Sequence, residues 1–321
     1  MFERARRCLL AMLVPVLMAA APAPVMVLDP VVLPAADGQR ELLVRVTAPM
    51  VPHGRLPVIL FSHGAGLSRA QYAPLVEYWA REGFVVLQPD HEDGVVDGFP
   101  PAVPPSDELW RTRILDLKRL AHGLSAIETA APALHGHLDA GRLLAVGHSF
   151  GGHTVAALMG AKVWNARLGR FESFAEPSIK GALLLSPPGA GGASGANLSE
   201  GFRARGGFLT VDWSALRGPI VTIVGSADDN KAMSPKAPEW HADLYRGSIA
   251  PDQCLITLTG ARHYLGGIVD PRRSGVEDAD PARLAAVRNI SLALFRSALA
   301  GTPLIEGSFA PLGTPGVVEC R

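Results

Sequence analysis

The sequence predicts an α/β architecture in a single domain: a mostly parallel central sheet with helices on both faces. Short apolar runs alternate with longer segments of helical periodicity, the pattern of strands joined by crossover helices. Hydrophobic residues make up 48% of the 321 and charged residues 19%, enough apolar material for a large core and too little charge for a disordered chain. Neither an internal repeat nor a convincing linker divides the chain.

Taken in order, Glu41 to Thr47 and Val58 to Ser62 read as strands. Ala70 to Arg81 has helical spacing and stops at Gly83, and Phe84 to Gln88 is strand-like. A Pro- and Asp-rich loop runs from Asp90 to Pro105. Asp107 to Thr129 reads as one long amphipathic helix, with Leu109, Ile114, Leu117, Leu120, Leu124 and Ile127 recurring at three- and four-residue intervals. Leu143 to Val146 is a strand, followed by a helix to Met159. Ala182 to Leu185, Ile220 to Val224 and Leu255 to Leu258 are further strands, and Pro238 to Tyr245 reads as a surface helix. Pro281 to Leu299 is a helix with Asp280 as N-cap and Pro281 at its first position.

The N-terminus carries Arg4, Arg6 and Arg7, an apolar run from Leu9 to Met18, and Ala19-Ala20-Ala21. That order reads as a secretory signal, cleaved near Ala21 or Ala23, with residues 1–23 the expected leader and 24–321 the expected mature domain of an exported protein, periplasmic or secreted. A retained membrane anchor is the alternative, because apolar residues continue to Leu28, but Pro15, Pro22 and Pro24 weaken a spanning helix. Loss of the leader removes Cys8 and leaves Cys254 and Cys320, which can pair in an oxidising compartment or stand as two separate thiols. The 30 basic and 30 acidic side chains cancel, and no basic face is present to displace counterions from nucleic acid.

Chemistry enters at Gly147-His148-Ser149-Phe150-Gly151-Gly152, a G-x-S-x-G pattern between a strand and a helix. A serine at so sharp a turn must take strained backbone angles, with glycines two residues away on either side making room. Its hydroxyl is then presented at the strand's C-terminal end, beside a helix N-terminus that favours developing negative charge. A glycine-rich turn with a capping serine is the alternative. His148 lies inside the motif, where the residue faces the scaffold, and is not read as a base.

With His63-Gly64-Ala65-Gly66, Gly225-Ser226-Ala227-Asp228 and Arg262-His263-Tyr264 added, the chain resembles the α/β-hydrolase superfamily from Val58 to about Ile268. The branch it resembles holds dienelactone hydrolases, platelet-activating-factor acetylhydrolases and cutinase-like polyester hydrolases. The resemblance implies two backbone oxyanion donors, the N–H groups of Ala65 and Phe150, with His63 organising the turn. It also implies the chain order Ser, acid, His. Of His153, His241 and His263, the last follows the final strand in a glycine-rich loop and is the expected base. Asp228 is the expected acid, with Asp229 as fallback. Relatives that carry the acid one strand earlier have it where this chain has Ser186.

Ser149, Asp228 and His263 thus compose a triad for acyl transfer through an acyl-enzyme, with no metal or organic cofactor required. The expected substrate is a small-molecule or polymeric carboxylic ester: short- to medium-chain acyl, lactone or polyester. Loops Asp93 to Pro105 and Gly189 to Gly207, and the rings of Trp164, Trp213 and Tyr264, are candidates to shape its cleft. A peptidase or amidase with the same triad, and a binding module on a decayed hydrolase fold, are the rival readings. No stable membrane insertion is expected after the leader is removed, and the sequence leaves the oligomeric state open.

Overall fold

Six of the apolar runs become neighbouring parallel strands, and the alternation of side chains along each one fills two cores. The computed structural model describes residues 22–35, 40–95, 108–236, 238–270, 278–309 and 316–321. Residues 1–21 of the expected leader and residues 96–105 of the expected 90–105 loop lie outside them. Strands β1 (Val25–Leu33), β2 (Leu42–Pro49), β3 (Leu56–Ser62), β4 (Val85–Pro89) and β5 (Leu138–His148) occupy the first half. A second set comprises β6 (Lys162–Asn165), β7 (Arg170–Ser173), β8 (Ile179–Leu185), β9 (Val211–Asp212), β10 (Ile220–Gly225), β11 (Gln253–Leu258) and β12 (Gly316–Cys320). The main sheet has the order β1-β2-β4-β3-β5-β8-β10-β11-β12, and β7-β6-β9 form a small separate sheet. From β4 to β11 neighbours are parallel; the outer pairs β1/β2, β2/β4 and β11/β12 are antiparallel.

Helices α1 (Ala73–Arg81), α2 (Leu109–His122), α3 (Leu124–Ala130), α4 (Phe150–Leu158), α5 (Glu200–Arg203), α6 (Asp243–Gly247) and α7 (Pro281–Ala300) complete the layers. Val58 and Leu60 of β3 point to one face, where Ile114 and Leu117 of α2 and Val155 of α4 cover them. Ile59 and Phe61 point to the other, under Trp79 of α1 and Ile290 and Phe295 of α7. This is the period of two expected of a strand buried on both sides. Trp79 Nε1 donates to Ser291 Oγ at 2.7 Å, so the two covering helices share a buried polar bond inside an otherwise apolar contact.

The expected helix over Asp107 to Thr129 is two helices, because Gly123 separates α2 from α3. A Cβ at Gly123 would sit 2.7 Å from the Arg119 carbonyl oxygen, so the close approach needs glycine. The segment from Pro238 is a 3-10 turn running into α6, and its His241 is buried rather than surface-facing. Strand β1 was hidden in the apolar stretch that continues to Leu28, and β6, β7, β9 and β12 are short elements without a strong pattern of their own. β12 places Cys320 opposite Cys254 of β11, and the two form a disulfide. Gln253 and Arg321, the next pair along, exchange both backbone hydrogen bonds. Cys254 and Cys320 therefore occupy the non-hydrogen-bonded pair, where antiparallel Cα atoms come closest, here 4.1 Å. No helix among the described residues is long and apolar enough to cross a membrane.

Candidate active site

Ser149 sits between β5 and α4 with φ 52 and ψ −120, a left-handed backbone that a non-glycine residue adopts only under constraint. The constraint comes from packing. Ser149 N donates to Leu185 O of β8 at 2.8 Å, and a Cβ on Gly147 would strike the carbonyl oxygen of Gly151. A Cβ on Gly151 would in turn strike the carbonyl oxygen of Ser62, at the end of β3. Both glycines of the motif are thus fixed by close backbone approach, which is why the spacing could be read from the sequence.

The turn after β3 lies against this elbow. His63 Nδ1 donates to Gly64 O at 2.7 Å and its Nε2 accepts the His91 N–H at 3.2 Å, so both ring nitrogens serve the turn. Burial, and then the nearby Arg113 charge, push the His63 pKa down, which keeps the ring neutral. Among the described residues neither the Ala65 nor the Phe150 N–H has a hydrogen-bond partner, so both expected oxyanion donors are open.

Asp228 and His263 meet at the ends of β10 and β11. His263 Nδ1 lies 3.0 and 2.9 Å from the two Asp228 oxygens, and Asp228 is almost fully buried. Burial raises the Asp228 pKa, but the His263 hydrogen bond outweighs it and leaves the pKa lowered. Asp229 instead pairs with Lys231 at 3.1 Å on the surface. Ser149 Oγ and His263 are not hydrogen-bonded to one another among the described residues; such contacts commonly tighten only when substrate arrives.

What joins His263 to the Ser149 turn is His148. Its Nε2 donates to His263 O at 3.0 Å, and its Nδ1 accepts from Tyr72 Oη at 2.9 Å. Tyr72 Oη in turn accepts the Gly64 N–H at 2.9 Å. One hydrogen-bonded chain therefore runs from the turn after β3 through His148 to the His263 loop. Burial, then the facing His263, bring the His148 pKa down to about 3, so it holds this single tautomer. Tyr264 closes over the cluster, its ring 5.5 Å from His148 and 5.7 Å from His263. Trp164 stands instead in the small sheet and Trp213 near α6.

His241 was not expected here. Its Nδ1 donates to Pro187 O at 2.7 Å and its Nε2 faces Asp228 Oδ2 at 3.5 Å. The ligand atoms of Asp228, His241 and His263 lie within 4.8 Å of one another, a set with the chemistry to hold a divalent metal. An ion there would compete with the His263–Asp228 hydrogen bond, so the two arrangements exclude each other. Ser186, in the slot one strand earlier, is buried with φ 44, its side chain beside the Asp228 carboxylate. His153 is buried on α4, its Nε2 donating to Phe208 O at 3.1 Å, away from the base position. No sequence pattern marks His241, because its side chain's direction is decided by a segment distant in the chain.

With this geometry in place, comparison with known families is informative. Residues 27–96 match the family described as platelet-activating factor acetylhydrolase, isoform II. The matched stretch runs from β1 past β4, includes the His63–Gly66 turn, and ends before Ser149. No protein of curated function matches the chain. The architecture is the α/β-hydrolase fold, and the match lies in its acetylhydrolase-like branch.

Proposed function

We propose that this α/β-hydrolase-fold protein is an exported serine hydrolase that cleaves carboxylic esters through an acyl-enzyme. The observation that carries the reading is the bidentate His263–Asp228 pair beside a serine held at φ 52. In the reaction His263 takes the Ser149 proton as the hydroxyl attacks the ester carbonyl. The Ala65 and Phe150 N–H groups stabilise the oxyanion, and His263 then protonates the departing alcohol. Water, activated by the same imidazole, releases the acid and restores Ser149. Asp228 holds His263 with Nδ1 protonated, so that Nε2 is the face that accepts the proton.

An acyl group at the short end of the short-to-medium range fits best, because the family that matches residues 27–96 is named for removal of an acetyl group. Lactones and polyesters belong to the same chemistry. Export accords with the leader-like N-terminus and with the Cys254–Cys320 disulfide. The test compares wild type with Ser149→Ala on p-nitrophenyl esters of two to sixteen carbons and on a matched anilide. Wild type is expected to prefer short esters over the anilide, and the variant to lose roughly a thousandfold or more in kcat. Equal rates for the two proteins would remove Ser149 from the mechanism.

A further inference from the structure

A buried arginine joins both oxyanion donors, and nothing in the proposed acyl transfer uses it. Arg113 of α2 is fully buried. Its Nη1 donates to both oxygens of Asp93 at 2.9 Å, and its Nη2 donates to the carbonyl oxygen of His63. The guanidinium carbon lies 4.6 Å from the centre of the Phe150 ring, the residue after the nucleophile. Asp93 Oδ2 also accepts the Gly66 N–H at 3.2 Å. The ion pair thus grips the oxyanion turn at His63 and Gly66, on either side of Ala65, and lies across the first residue of α4. Burial raises the Asp93 carboxyl, but the charge and hydrogen bonds of the Arg113 guanidinium more than offset it and hold it at about 2.

A buried ion pair is poor evidence for stability, because the cost of desolvating both charges consumes much of their attraction. Its directional bonds are better suited to fixing geometry, and a planar fork with several donors does that where an ammonium cannot. We infer that Arg113 and Asp93 are positioning residues that set the separation and direction of the Ala65 and Phe150 N–H groups. They do so by clamping the turn after β3 to the head of α4. This inference rests on the esterase reading of Ser149 and deepens it. The oxyanion forms only in the transition state, so loosening the clamp acts on kcat and leaves substrate affinity alone.

The experiment uses the full mature protein as wild type, Arg113→Met, Arg113→Lys, Asp93→Asn and the Met/Asn double variant. Competent sites are first counted by fluorophosphonate titration of Ser149, so that misfolded protein drops out of each rate. Per titrated site, Arg113→Met is expected to lose about tenfold to a hundredfold in kcat on p-nitrophenyl acetate, with KM within about twofold. Affinity for a trifluoromethyl ketone, which forms a tetrahedral adduct, should fall in parallel. Arg113→Lys should lie between, and the double variant should be no worse than the worse single one. Asp93→Asn keeps the side chain's size and carries the test if Arg113→Met does not fold.

Unchanged kcat per site in a folded variant, or a loss confined to KM, would overturn the clamp while leaving the esterase reading intact. A wild type that neither hydrolyses esters nor is labelled at Ser149 would overturn both.

Discussion

Asp228 receives His263 Nδ1 on both carboxylate oxygens, whereas its neighbour Asp229 is 47% exposed and paired with Lys231. Replacing the first by asparagine presents an amide that can stabilise the wrong imidazole tautomer. Asp228→Asn should therefore lower kcat by a factor on the order of ten thousand, and Asp229→Asn should leave it within about twofold. Steady-state kinetics on one short ester decides between the two aspartates. Both were visible in the sequence as candidates, because a turn after a strand announces itself, but only the fold says which one turns inward. Ser149 and His263 were legible as candidates for a firmer reason: Gly147 and Gly151 lie against backbone that admits no side chain, and Gly260, Gly266 and Gly267 around His263 take positive φ. Tyr72, Arg113 and His241 were not legible. Each reaches the site across a long stretch of sequence, and an isolated polar residue in an amphipathic segment gives no sign of facing inward.

At the scale of elements, the strands buried on both faces were readable as apolar runs, and the edge strands β1 and β12 were not. β12 illustrates the difference. It is five residues long, mostly exposed, and its place is set by pairing with β11 and by one covalent bond. The two cysteines suggested the bond, although nothing local suggested the strand. The disulfide closes a separation of 66 residues, for which the chain-entropy model gives about 4 kcal/mol of stabilisation. Reduction, or Cys254→Ser with Cys320→Ser, should lower the unfolding free energy by up to that amount, measured by urea titration of the two forms. A difference below about 1 kcal/mol would mean that β12 is held by its pairing alone. β11 leads directly into the His263 loop, so activity in moderate urea should fall in the reduced form before global unfolding.

Across the whole molecule, five histidines are held neutral inside the fold: His63, His91, His148, His153 and His241 all have lowered pKa values, with burial the largest cause in each. For His148 the value falls to about 3 and for His153 to about 4, against 6.5 for a free side chain. Below about 6.5 the unfolded chain binds protons that the folded chain refuses, so stability drops as pH falls. Asp116 works in the opposite sense: burial, against the pull of Arg40 and Arg113, raises it from 3.8 to about 7, and its contribution fades as pH rises through that range. Burial raises Asp243 in the same sense, and two groups against five leave the histidines in control. The melting temperature should decline steadily from about pH 6.5 to pH 4, above the range where carboxylates alone would act, and a flat profile there would contradict the neutral assignment.

The order of the central strands has a different kind of consequence. Ser149, Ser186, Asp228 and His263 follow β5, β8, β10 and β11, four neighbours in the sheet. Ser186 shares the left-handed backbone of Ser149 and lies close enough to Asp228 to help keep that acid ionised. In evolutionary terms this makes the proposed acid portable. A descendant that gains a carboxylate at 186 carries two acids near one imidazole, and it can then lose the one at 228 without passing through a form that has none. What such a lineage must inherit is the adjacency of the strands, not the identity of the strand that bears the acid.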